Sequence, residues 1–180
     1  MTLNIGDKAV EYSLKNANEE IGGQLLTLEQ SVMDNGLVLV FECNHCPYVV
    51  ASVDRMNKMS EYCKSNQIGF VGINSNDASV YANDSFEHMV KRAKNGMPYA
   101  YLYDESQEIA HAYGAKRTPE FFLFNSDNTL VYRGRMDDSP RDPNQVSTSE
   151  LKDAIDAMLD GHSPTISETE SIGCSVKWKA

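Results

Sequence analysis

The chain has 180 residues and a formal net charge of −10. That charge argues against nucleic-acid binding, which wants a basic face, and against an anionic membrane surface, so neither nucleic acid nor membrane is an expected partner. Hydrophobic content of 41% and charged content of 23% are ordinary for a globular chain able to bury one core. A single domain is expected over 1–180, with a core at about 37–160 and a tail at 161–180.

No stretch has the length of a membrane span. The N-terminus has no basic region followed by an apolar one, so no secretory signal is expected and a cytoplasmic location is. In that setting Cys43, Cys46, Cys63 and Cys174 are expected to be catalytic or free thiols rather than structural disulfides.

In chain order, residues 1–36 read as a prelude. Alternation through Ala9, Val10, Tyr12 and Leu14 predicts a short strand, and Gly22-Gly23 a turn. Residues 25–33 read as a short helix or turn. Residues 37–41 are continuously apolar, the pattern of a strand buried on both faces, as in a parallel sheet. The run leads into Cys43-Asn44-His45-Cys46-Pro47, and proline suits the first turn of a helix. Val50, Val53, Met56 and Met59, then Tyr62 and Cys63, follow at helical spacing up to Asn66-Gln67. Residues 68–73 read as a second buried strand, completing a βαβ unit.

Residues 74–83 are polar and aperiodic, a loop. Residues 84–95 predict a helix with Lys91, Arg92 and Lys94 near its end. A short strand at 99–103 and a helix at 105–113 follow. Residues 120–124 and 129–132 read as a hairpin turned by Asn125-Ser126-Asp127-Asn128. Residues 137–145 are a surface loop, and Ser147-Thr148-Ser149-Glu150 fits a capping box before a last helix ended by Gly161. The tail is polar until Ile172, Cys174, Val176 and Trp178, whose alternation predicts a segment with one buried face.

The Cys-x-x-Cys therefore lies where a buried strand becomes a helix N-terminus. There the helix dipole and free N–H groups favour thiolate. The context reads as a thioredoxin-like redox motif, and the i, i+3 spacing lets both sulfurs meet. Cys43, expected to be the more exposed, would attack as thiolate, and Cys46 would resolve the mixed disulfide. His45 between them would favour the thiolate when protonated. Glu42 could accept a proton, the blander reading being a solvated surface carboxylate. The substrate would be a thiol or disulfide, on a protein or a small molecule, with no cofactor and no metal.

Three other readings stand beside this one. Cys43 and Cys46 could be inert core thiols. Cys43, His45, Cys46 and Cys174 could instead supply soft ligands to copper(I) or zinc, although adjacent Cys-His-Cys spacing is atypical of closed zinc sites. The third is a peroxidase, described below. Cys63 reads as a small core residue. His88, His111 and His162 read as surface or packing residues. The tail is expected to fold over the active site and bring Cys174 close to Cys43 as a third redox cysteine. The alternative is an anchoring arm on the far side with Cys174 inert.

The order strand, helix, strand, helix, hairpin, helix resembles a thioredoxin fold with an N-terminal extension, an insertion before the second core helix and a C-terminal tail. That elaboration resembles the redoxin branch, the superfamily of alkyl hydroperoxide reductase and thiol-specific antioxidant proteins. It is most similar to a peroxiredoxin-like group with Cys43-Asn44-His45-Cys46-Pro47-Tyr48-Val49, Thr118-Pro119-Glu120-Phe121-Phe122 and Gly173-Cys174-Ser175-Val176-Lys177-Trp178. Members often carry a cysteine where Arg117 stands, so one partner for the pair is missing here. The Cys-x-His-Cys also resembles that of disulfide-forming oxidases. The resemblance implies that Thr118-Pro119 faces the cysteines as a cis-proline loop that pairs with extended substrates. It also implies the peroxidase alternative, with Cys46 as the peroxidatic cysteine. Against it, Leu39 and Cys43 stand where that pattern has a proline and a Thr or Ser, and Arg117 is a weak match for the peroxide-site arginine.

Overall fold

The computed structural model describes residues 3–180. Strands β3 (Gly36–Phe41), β4 (Ile68–Asn74) and β5 (Ala100–Tyr103) run parallel, in the order β5-β4-β3. On the β3 side, β7 (Glu120–Phe124) pairs antiparallel with β3 and continues into β8 (Leu130–Gly134). On the β5 side, β1 (Ser13–Asn16) and β2 (Leu25–Thr27) add two antiparallel strands. The full order is β2-β1-β5-β4-β3-β7-β8. The N-terminal segment thus supplies one edge of the sheet. The helices are α1 (Leu28–Ser31), α2 (Pro47–Ser65), α3 (Phe86–Lys94), α4 (Glu108–Tyr113) and α5 (Glu150–Leu159). This is a thioredoxin-like α/β fold.

Every residue of β3 is buried because the sheet carries a core on each face. Val38 and Val40 point to the side of Met56 and Cys63 on α2 and Leu151 and Ile155 on α5. Leu37, Leu39 and Phe41 point to the side of Ala110 and Tyr113 on α4. Strand alternation delivers both sets, which is why the sequence shows an unbroken apolar run.

Two local expectations are corrected and a third is refined. The inward stripe of α2 is Val49, Ser52, Met56, Ser60 and Cys63, while Val50 is 57% exposed. The polar stretch after β4 is a loop, as expected, but it is half sunk into the domain: Ser75, Asn76 and Asp77 are buried, and a 3-10 turn, Ala82–Asp84, ends on buried Asp84. The capping box does not form. α5 begins at Glu150 with Ser149 as its N-cap and no side-chain cap bond. Glu150 instead accepts two hydrogen bonds from Arg135, at 3.0 and 2.8 Å. A two-armed Arg–carboxylate pair is stronger than the single backbone bond a capping box asks of its glutamate.

The tail runs back along the domain. Thr169 bonds the backbone of Arg133 and Arg135, and β9 (Cys174–Ser175) pairs antiparallel with β6 (Arg117–Thr118). Beyond it the Lys177 backbone bonds Asn76, Asp77 and Gln107. Trp178 stacks on His111 with ring centroids 4.2 Å apart. Among the described residues no helix is long and apolar enough to cross a membrane.

Candidate active site

β3 carries the chain to Phe41, and the Glu42 N–H still bonds the Ile73 carbonyl at 2.9 Å. Cys43, Asn44 and His45 cross the tip of the sheet. Cys46 is the N-cap of α2 and Pro47 its first residue. Both Cys43 and Cys46 are free thiols, and both are only 1% exposed. Cys43 is therefore not the more exposed of the two. The Thr118–Pro119 peptide is cis, as the resemblance implied. Cys43 Sγ lies 3.7 Å from Thr118 Oγ1, and Cys46 Sγ lies 3.5 Å from the Thr118 carbonyl oxygen. Thr118 thus faces both sulfurs.

The two thiols bear on each other, and the single charge they share belongs on Cys46. The Cys43 thiol, as donor, draws Cys46 well below the ordinary thiol range, and N–H groups of Val49 and Cys174 act the same way. The start of a helix adds to this preference. Cys43 is pushed up, first by Cys46, then by burial, then by the Asp84 carboxylate. One contact opposes the assignment, since the Thr118 carbonyl oxygen suits a thiol at Cys46 rather than a thiolate. The helix N-terminus and the Cys43 thiol together outweigh that single carbonyl dipole.

Beneath the motif lies a polar network that the sequence did not reveal. Glu42, considered a surface carboxylate, is completely buried. Its Oε1 lies 2.5 Å from Arg92 Nη2, and its Oε2 accepts from Tyr99 Oη at 2.8 Å. Arg92 also donates to the Cys43 carbonyl at 3.1 Å and lies over the ring of Tyr101. Tyr101 Oη donates to Asn44 Oδ1 at 2.8 Å. Asp84 accepts the Asn44 N–H at 2.7 Å, and its other oxygen lies 2.5 Å from His45 Nδ1. His45 stacks parallel to Tyr81. Asp84 from the 3-10 turn, Arg92 from α3, Tyr101 from β5 and Tyr99 from the segment leading into β5 thus fix the geometry of the Cys-x-x-Cys turn.

The tail does cover the site, as expected, but Cys174 is placed differently. Its register partner is Thr118, and its thiol lies beside Cys46 rather than Cys43. Burial and the neighbouring Cys46 push the Cys174 thiol up to about 11. Arg117, weighed as a peroxide-site arginine, is exposed. Cys63 sits in the core, where burial pushes its thiol up to about 12.

A candidate metal set exists, but it differs from the one weighed as an alternative reading of the sequence. Cys43, His45 and Asp84 each offer one donor atom, all within 4.8 Å of one another. Sulfur, imidazole and carboxylate together suit zinc. His45 Nδ1 is already turned to Asp84, however, and the Cys43 thiol is the harder of the pair to ionise.

The Redoxin family model matches residues 5–155. The chain belongs to the redoxin family. Its solved relatives include an uncharacterised conserved protein from Geobacillus kaustophilus, 40% identical, covering 98% of this chain and 93% of that one, with a TM-score of 0.90. A hypothetical protein from Sinorhizobium meliloti is 35% identical, covering 100% and 97%, also at 0.90. A putative thiol:disulfide interchange protein from Chlorobium tepidum shares the fold at 19% identity and a TM-score of 0.59, covering 73% and 85%. No curated protein matches the chain. This redoxin is thus a thiol-based redox protein.

Proposed function

We propose that this redoxin is a thiol–disulfide oxidoreductase whose redox disulfide joins Cys43 and Cys46. The observation that carries the reading is the pair of sulfurs at the start of α2, each against Thr118, with their shared charge on one of them. In this reading the Cys46 thiolate attacks a disulfide substrate, and Cys43, held as a thiol, supplies the second sulfur and the proton for the leaving group. These roles reverse those expected from sequence, because the Cys46 sulfur, then burial, then Asp84 keep the proton on Cys43. Asn44 and Arg92 hold the turn, and no cofactor is required.

The test is cysteine mapping after limited oxidation. The wild-type protein is expected to form an intramolecular Cys43–Cys46 disulfide, and Cys46→Ser to lose reaction with low-mass disulfides. A Cys46→Ser protein that keeps wild-type reactivity would overturn the roles.

The same low-lying Cys46 thiol favours a second reading, a thiol peroxidase with Cys46 as the peroxidatic sulfur. Leu39 and Cys43 in place of hydrogen-bonding and shaping residues, and the exposed Arg117, weigh against it. Peroxide turnover that survives Cys43→Ser and vanishes in Cys46→Ser would move the assignment to that reading.

A further inference from the structure

Cys46 has a cysteine on each side. Cys43 lies on the motif, and Cys174 lies on the tail strand β9, with both sulfurs close enough to affect the ionisation of Cys46. We propose that Cys174 is a second resolving cysteine, which forms a disulfide with Cys46 in competition with Cys43. The proposal rests on the thiol–disulfide chemistry proposed for Cys46.

The tail does not meet the site by chance packing. Antiparallel pairing sets Thr118 against Cys174 and Arg117 against Ser175. The Val176 N–H adds a 3.0 Å bond to the Lys116 carbonyl. Thr118 is the residue that touches both motif sulfurs. A cysteine fixed opposite Thr118 is therefore fixed beside Cys46. Gly173, the residue before it, lies so close to the Thr118 carbonyl and Pro119 that a Cβ would collide with backbone. The strap is pinned on both sides of Cys174, by Thr169 bonded to Arg133 and by Lys177 bonded to Asn76 and Gln107. Addition of an extended segment to a free strand edge is how many domains take peptide ligands. Here the edge of β6 is filled by the chain itself, and the filling residue carries a thiol.

The burial pattern gives Cys174 a role distinct from that of Cys43. Cys43 and Cys46 are sealed at 1% exposure, while Cys174 is only half-buried. A disulfide substrate RSSR reacts with the Cys46 thiolate to give Cys46–S–R and RS⁻. The Cys174 thiol then attacks Cys46 Sγ. The Cys46–S–R bond breaks, Cys46–Cys174 forms, and a second RS⁻ leaves with the proton from Cys174. Two protein thiols are oxidised and one substrate disulfide is reduced to two thiols. Cys43 can next displace Cys174 from Cys46 by exchange, with no further change in oxidation state, and the proton passes from Cys43 to Cys174.

The experiment uses the full chain and oxidised glutathione as the substrate disulfide. Cys43→Ser and Cys43→Ser/Cys174→Ser proteins are oxidised, quenched in acid and mapped by mass spectrometry. The single variant is expected to give monomer carrying a Cys46–Cys174 cross-link, and the double variant to retain glutathione on Cys46 at least about tenfold longer. In the wild type, a time course is expected to show Cys46–Cys174 before Cys43–Cys46, which covers the case of a poorly folded Cys43→Ser. Persistent glutathione on Cys46 with Cys174 still open to alkylation, in both the single variant and the wild-type time course, overturns the proposal. A wild type that never forms Cys43–Cys46 but does form Cys46–Cys174 strikes instead at the oxidoreductase reading above, so the two failures are distinct.

Discussion

The Asp84 carboxylate lies 2.5 Å from His45 Nδ1 while also accepting the Asn44 N–H, so one buried side chain holds two residues of the Cys-x-x-Cys turn. It also opposes ionisation of Cys43. Asp84→Asn keeps an oxygen for Asn44 and removes the charge. In a Cys46→Ser background, where Cys43 titrates alone, this change is expected to lower the Cys43 pKa by on the order of one unit. Thiolate absorbance against pH reads it. An unchanged titration would mean that the Asp84 charge does not reach the sulfur.

Glu42 and Arg92 form a buried ion pair under the same turn. Breaking such a pair by removing one partner costs about 3–5 kcal/mol, because a charge is left buried without compensation. Arg92→Ala is expected to fall in that range and also to free the Cys43 carbonyl it now bonds. Arg92→Met combined with Glu42→Gln should recover much of the loss. Denaturant titrations of the wild type, Arg92→Met, Glu42→Gln and the Arg92→Met/Glu42→Gln double make the cycle. Additive losses would show that the two groups are not coupled.

The charge on Cys46 sets the pH dependence of the Cys43–Cys46 couple. Reduction of the disulfide takes up two electrons and as many protons as the reduced pair holds. Cys46 is lowered and Cys43 raised, so near neutral pH only Cys43 takes a proton. Each proton changes the equilibrium tenfold per pH unit, about 30 mV for a two-electron couple. The reduction potential is therefore expected to fall by about 30 mV for each unit rise in pH, steepening to about 60 mV only below the Cys46 pKa. Equilibration with glutathione buffers at several pH values measures the slope. A slope near 60 mV at neutral pH would put the proton back on Cys46.

The parts of this site that could be read from sequence are those coded by neighbours in the chain. The apolar run into β3, the two cysteines and Pro47 at the head of α2 are contiguous and announce themselves by period and spacing. The tail was legible in part from its alternation: Val176 is buried and Ile172 and Cys174 are half-buried, but Trp178 is 40% exposed and packs only by stacking on His111. Asp84 and Arg92 were not legible, because each fits an ordinary local role. Asp84 looks like a helix-start acid and Arg92 like a helix-end base, and only the fold brings them to residues about 40 to 50 positions away. Glu42 was misjudged for the same reason, since its partners Arg92 and Tyr99 come from α3 and from the segment leading into β5. Which sulfur bears the charge turned first on the two thiols acting on each other and on their burial, then on Asp84 and Cys174, and the last two are not adjacent in sequence to the motif.

Gly173 offers a way to lift the tail without touching a cysteine. An added Cβ would strike the Thr118 carbonyl, and backbone cannot yield as a flexible side chain can. Forcing a methyl group into packed space costs about 1–3 kcal/mol. If that cost falls on the β6–β9 pairing, the tail opens roughly 5- to 150-fold more often, a local opening that leaves the sheet intact. Gly173→Ala is therefore expected to speed alkylation of Cys46 by iodoacetamide within that range. The unfolding midpoint should move little, because the strap keeps its bonds at Thr169 and Lys177 and the stacking of Trp178 on His111. Alkylation at the wild-type rate would mean that the tail is not what seals the sulfurs, and that Thr118 and the motif turn bury them unaided.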